Sequence, residues 1–212
     1  MRLVDSATEL TTSGTDALLG VVCLVVLVRL GDMPPGWQRS VWMAMLALMA
    51  AASFLGAAAH GLVLTETIRT ALWQPLYLSL GLAIALFVVA AVGDWKDVAS
   101  ARALLPWMLA VGVAFYAITL LLRGAFIIFI AYEAAAMLAA LAIYGTLWAR
   151  GIPGADLIAL GIGVSILAAV VQATPARLTL LVPFDHNGLF HLVQIAGILI
   201  LSWGVRIRLL AG

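Results

Sequence analysis

Residues 125–148 read AFIIFIAYEAAAMLAALAIYGTLW, an apolar run broken by one ionisable side chain, Glu133. A helix needs about 20 apolar residues to cross the hydrocarbon of a bilayer. Comparable runs recur on either side, and reading outward between turn signals gives seven expected spans, near 15–30, 39–61, 70–93, 99–122, 125–148, 155–174 and 187–206. Their punctuation includes Gly31-Asp32-Met33-Pro34-Pro35-Gly36, Gly93-Asp94-Trp95-Lys96-Asp97, Arg123-Gly124 and Pro183-Phe184-Asp185-His186-Asn187-Gly188. The connections are short, so neighbouring helices should run antiparallel. The expected fold class is an all-α integral membrane protein, a seven-transmembrane helix bundle forming a single domain over 1–212.

Composition agrees. The chain is 65% hydrophobic and 10% charged, which leaves no room for a separate soluble domain. A net charge of +1, with no basic run, argues against nucleic acid as a partner. The single cysteine, Cys23, excludes an internal disulfide and a Cys-pair metal motif, and its apolar setting reads as packing. Met1 to Asp16 are polar and lack the basic start and nearby apolar stretch of a cleaved signal, so the first span is expected to stay as an anchor.

The tryptophans fall near expected helix ends, where amphipathic rings favour an interface. Arg29, Arg39, Lys96, Arg102, Arg150, Arg206 and Arg208 fall on the side of the C-terminus, against Arg2, Arg69, Arg123 and Arg177 on the other. That bias favours an outside N-terminus, a cytoplasmic C-terminus and the plasma membrane. Small residues such as Ala134-Ala135-Ala136 and Gly161-Ile162-Gly163 read as close helix contacts.

Threaded through this topology, His60 ends helix two while His186 and His191 open helix seven, so all three histidines belong to one face of the bundle. Glu66, Arg69, Gln74, Tyr77, Gln172, Asp185, Asn187 and Gln194 gather there too, whereas the opposite half offers only loop charges. Neutral imidazole is the commonest zinc ligand, and three histidines with an open fourth position make a catalytic type of site. His60, His186 and His191 are therefore candidate metal ligands, although His186 lies about 140° around a helix from His191. Folding His186 toward the site would require it to precede the helix proper, with Asp185 or Asn187 as cap. Asp185, Glu66 and Glu133 are candidates to orient a ligand or take a proton from a metal-bound water. The plainer readings are that Asp185 caps helix seven and that Glu66 pairs with Arg69. Glu133, about 14 Å along its span, is either functional or a protonated acid bonded to a neighbouring helix.

One histidine ending helix two, with a pair opening helix seven, resembles the superfamily of alkaline ceramidases and adiponectin or progestin receptors. Asn187-Gly188-Leu189-Phe190-His191-Leu192-Val193 is similar to its helix-seven motif, closest at Phe190-His191. The resemblance implies zinc on His60, His186 and His191 and, by analogy with the superfamily's enzymes, hydrolysis of a lipid amide by zinc-bound water. The departures are specific. The helix-seven pair is spaced wider by one residue, with Asn187 in place of the first ligand. The superfamily's serine one turn before the helix-two histidine is Gly56 here, with Ser53 one turn deeper, and only Glu66 matches its acid after helix two.

The leading expectation is a zinc-dependent hydrolase of a lipid amide or ester, with membrane lipid as partner and a second copy of the chain as an allowed one. Haem b between His60 and His191, or a receptor or ion-binding module without turnover, are the alternatives. The only lysine, Lys96, lies in a loop, which rules out a helix-seven retinal Schiff base.

Overall fold

The computed structural model describes residues 2–122 and 126–211, with Phe126 described by its backbone alone. Arg123 and the Arg123-Gly124 turn lie outside the described residues. The described chain forms α1 (Ala7–Gly31), α2 (Trp37–Gly61), α3 (Glu66–Trp95), α4 (Val98–Leu121), α5 (Phe126–Ala149), α6 (Ala155–Gln172) and α7 (His186–Ala211). All seven are long and apolar enough to cross a membrane. Two short strands, β1 (Leu178–Thr179) and β2 (Pro183–Phe184), pair antiparallel between α6 and α7.

The helix ends follow their caps. Ser6 accepts from the Glu9 N–H at 3.4 Å, half of a Ser-x-x-Glu capping arrangement, so α1 begins well before the apolar run suggests. Thr65 likewise starts α3 at Glu66, and Asp97 starts α4 by accepting from Ser100 N–H at 2.7 Å. The segment before α1 lies beside the α2–α3 connection through Val4 N to Gly61 O and Val63 N to Arg2 O.

α1, α2, α3, α5, α6 and α7 form a ring in which each packs on the next, with α7 closing onto α1, while α4 packs mainly on the outside of α3. In a bilayer, where lipid chains are as apolar as leucine, such helices would be held by close packing rather than by escape from water. The α6–α7 seam shows it: a Cβ on Gly161 would lie 2.6 Å from Leu201 N, and one on Gly204 2.6 Å from Gly154 O. α3 and α4 meet the same way, where a Cβ on Gly81 would lie 2.8 Å from Gly112 O.

The tightest apolar core, including Leu30, Trp42, Leu46, Ile158, Ile162 and Val205, fills the end of the ring nearer the C-terminus. Trp42 is thus a core ring set edge-on to Phe87 at 6.0 Å, not the interfacial tryptophan its position near a helix end suggests. That end also holds more than loop charges. Asp94 lies inside α3 with its side chain 5% exposed, accepts from Tyr144 OH at 2.8 Å, and stands 3.3 Å from Arg208 Nε.

Candidate functional site: an acid and histidine cavity at the N-terminal end

The other end of the ring is hollow. A cavity of about 400 Å³ is lined from all six ring helices, and a second hollow of about 60 Å³ adjoins it deeper in the bundle. The two share Met49, Leu80, Phe129, Glu133 and Gln194 as walls.

His60, His186 and His191 all line the larger cavity, as do Ser53 and Glu133. Its centrepiece is a residue that the sequence reading assigns to the polar N-terminal tail. Asp16 sits a little over two turns into α1 and is 6% exposed. Its Oδ1 is 3.6 Å from Nε2 of His191, itself 7% exposed. That is ion-pair range, and longer than a good hydrogen bond. The Ser53 hydroxyl faces the same carboxyl. Asp16 thus joins Glu133 as an acid within one of the seven helices.

The other edge of the His191 ring is held by α1. Nδ1 lies 3.2 Å from Thr15 Oγ1, and the Thr15 hydroxyl donates to the Thr11 carbonyl at 2.9 Å. The Thr15 hydroxyl thus stands between a helix carbonyl and the ring, and Nε2 is turned toward Asp16. His60 is held in the same sense, its Nδ1 2.8 Å from Glu9 Oε2.

Gly56 makes room for the Asp16 carboxyl. A Cβ there would collide with Asp16 Oδ2, so the space a serine would occupy is filled by the Asp16 carboxyl.

Asp185 is a cap. Its Oδ1 accepts from Gly188 N–H and from Thr12 Oγ1, both at 2.9 Å, and its backbone carbonyl accepts from Leu189 N–H. Partial burial works to raise its pKa, but the Gly188 N–H, the Thr12 hydroxyl and the neighbouring His186 together hold the carboxyl below the usual range. Glu66 is exposed in the first turn of α3, does not line the cavity, and makes no ion pair with Arg69 among the described residues.

The three histidines thus reach one cavity. Among the described residues, no three of His, Cys, Asp and Glu come together closely enough to share an ion. The side chains that do converge are Asp16, Ser53 and His191, a set suited to holding a polar group and passing a proton.

Residues 11–210 match the family described as "Family of unknown function (DUF6962)". The chain belongs to that family. No curated protein and no solved structure matches it.

Asp16, Thr15 and Glu9 are the site residues that reading the sequence missed. The signals were present in Ser6-Ala7-Thr8-Glu9, which marks a helix start, and in the i, i+3, i+4, i+7 spacing of Thr12, Thr15, Asp16 and Leu19, all buried on one face.

Proposed function

We propose that this chain is a multi-pass plasma-membrane protein, N-terminus outside and C-terminus in the cytoplasm, whose cavity takes the polar end of a membrane amphiphile. Seven apolar helices and the basic bias toward the C-terminal side support the placement. The observation that carries the function is the cavity itself: about 400 Å³, with the buried Asp16 and His191 in one wall, Glu133 in another and apolar side chains between. Concave sites that are mostly apolar with a few convergent polar groups are where small molecules bind, and ionisable groups within spans mark function.

The test is direct. Protein purified in nanodiscs should retain an amphiphile detectable by mass spectrometry of the extracted lipids, above the level in protein-free discs. Ala52, 4% exposed on the cavity wall, offers the control, because Ala52→Phe should displace that molecule. Equal lipid content in protein-bearing, substituted and empty discs would end the proposal.

Hydrolysis of an amide or ester in the bound molecule is a second reading, favoured by Ser53, Asp16 and His191 meeting in one wall. Asp16 and His191 would handle the proton. Kinship with the ceramidase and receptor superfamily belongs to this reading. Tethered Nδ1 atoms on His60 and His191 are what ligating histidines need from their surroundings. Among the described residues no three such donors come together closely enough to share a zinc ion. Fatty-acid release from the retained molecule, with elemental analysis and an absorption spectrum on the same sample, separates turnover from binding and zinc from haem.

A further inference from the structure

We infer that the cavity recognises an organic ammonium group, an inference that rests on the binding role proposed above. Its ionisable lining is acidic apart from histidine: Asp16 and Glu133 contribute carboxyls, and among the described residues no lysine or arginine lines either hollow. Two of the three histidines already face a carboxyl of the chain itself, His60 at Glu9 and His191 at Asp16. The positive end of α7 opens on the cavity, but Asp185 already takes the Gly188 and Leu189 N–H groups that would hold a phosphate or carboxylate.

A second, independent feature points the same way. Gln194 is 4% exposed, lines both hollows, and its Oε1 has no hydrogen-bond partner among the described residues. A buried acceptor left alone is costly, and a ligand N–H or polarised N–CH would relieve it.

Aromatic faces complete the surround. Trp73 stands edge-on to His60 at 5.6 Å and lies 5.8 Å from Tyr77, and both rings line the cavity. Aromatic rings beside carboxyls are the standard means of holding an alkylammonium, through the ring quadrupole and direct charge. The same surfaces offer a carboxylate or phosphate no lysine or arginine among the described residues.

Three probes of equal chain length test this in nanodiscs: dodecyltrimethylammonium, dodecanol and dodecanoate, with binding read from tryptophan fluorescence against empty discs and assigned with Trp73→Phe. The ammonium should bind about tenfold or more tighter than either other probe, and Glu133→Gln should remove most of that preference. If Glu133→Gln fails to fold, Gln194→Leu makes the same comparison from the other wall. Choline distinguishes sources. Competition by choline identifies a water-soluble ammonium, and its failure beside tight dodecyltrimethylammonium binding identifies a chain-bearing one; both support the inference. Equal or tighter binding of dodecanol or dodecanoate overturns the inference and leaves the amphiphile site standing. No binding of any probe above empty discs overturns both.

Discussion

Asp16 on α1 and His191 on α7 face each other at 3.6 Å, Oδ1 to Nε2, though 175 residues separate them in sequence and both are more than nine-tenths buried. The pair ties the first helix to the last where the ring closes. Its position depends on α2 as well, because Ser53 faces the Asp16 carboxyl and Gly56 clears the space beside it. Three helices therefore set one carboxyl, and the chemistry of the cavity wall is coupled to how α1 lies on α2.

Gly56→Ala tests that coupling. A Cβ at Gly56 would meet Asp16 Oδ2 and lies 3.5 Å from Leu76 Cδ1, so the carboxyl must move or the helices part. Overpacking of this kind costs about 1–3 kcal/mol. In an Asp16→Ala background the same substitution should cost far less, since the atom it strikes is gone. Thermal unfolding in detergent, run as a double-mutant cycle, reads the difference. Equal costs in the two backgrounds would show that Asp16 does not fill that space.

Two glycines two residues apart on α6 should behave in opposite ways. At Gly161 the nearest atoms to an added Cβ include backbone N of Leu201 and backbone O of Gly197, which cannot turn aside. At Gly163 nothing lies within 4 Å. Gly161→Ala should therefore lower the unfolding temperature, whereas Gly163→Ala should leave it unchanged or raise it by the ~0.5–1 kcal/mol that alanine gains over glycine in a helix. Similar destabilisation by both would mean that α6 and α7 do not meet along this seam.

The seven helices were legible because length and hydropathy alone define a span. The common face of the three histidines was legible because short connections force alternation. What failed to show was the direction of side chains. His60, His186 and His191 reach one cavity without converging as a trio, and no spacing rule reports how two imidazoles on separate helices are turned. The polar start of α1 masked Asp16, because hydropathy discounts a helix turn carrying Thr11, Thr12, Ser13 and Thr15, even though these hydroxyls bond helix carbonyls or neighbouring elements. Asp94 was hidden in a similar way. Its Gly93-Asp94 setting reads as a turn, yet α3 continues to Trp95 and buries the carboxyl against Tyr144.

Asp185 should make the bundle sensitive to acid. Its carboxyl is held below the usual range by Gly188 N–H, Thr12 and His186, against the opposing effect of partial burial. A depressed folded value means that the cap's contribution is complete above the unfolded value of about 3.9 and disappears as pH falls through the folded value. Asparagine caps nearly as well but does not titrate, whereas alanine removes the cap at a cost of about 1 kcal/mol. Melting curves from about pH 5 down to about pH 3 should show the wild type losing more stability than Asp185→Asn. Parallel losses would remove Asp185 from the acid response.

At the far end of the ring, Asp94, Tyr144 and Arg208 join α3, α5 and α7, and removing either partner should expose how much a buried carboxyl depends on company. Tyr144 is fully buried and its hydroxyl donates to Asp94 Oδ2 at 2.8 Å, so Tyr144→Phe deletes one donor while keeping the ring, at about 1–3 kcal/mol. Arg208 acts differently. Its Nε lies 3.3 Å from Asp94 Oδ1 without hydrogen-bond alignment, so the contact is charge to charge. Arg208→Met would leave an uncompensated carboxyl and cost more, about 3–5 kcal/mol, because the loss of a buried partner strands the other charge. Adding Asp94→Asn to Arg208→Met should recover most of that loss, since a neutral amide needs no counter-charge. Unfolding temperatures of the three proteins decide it: if Arg208→Met is no worse than Tyr144→Phe, or if Asp94→Asn brings no recovery, the charge on Asp94 does not hold these helices together.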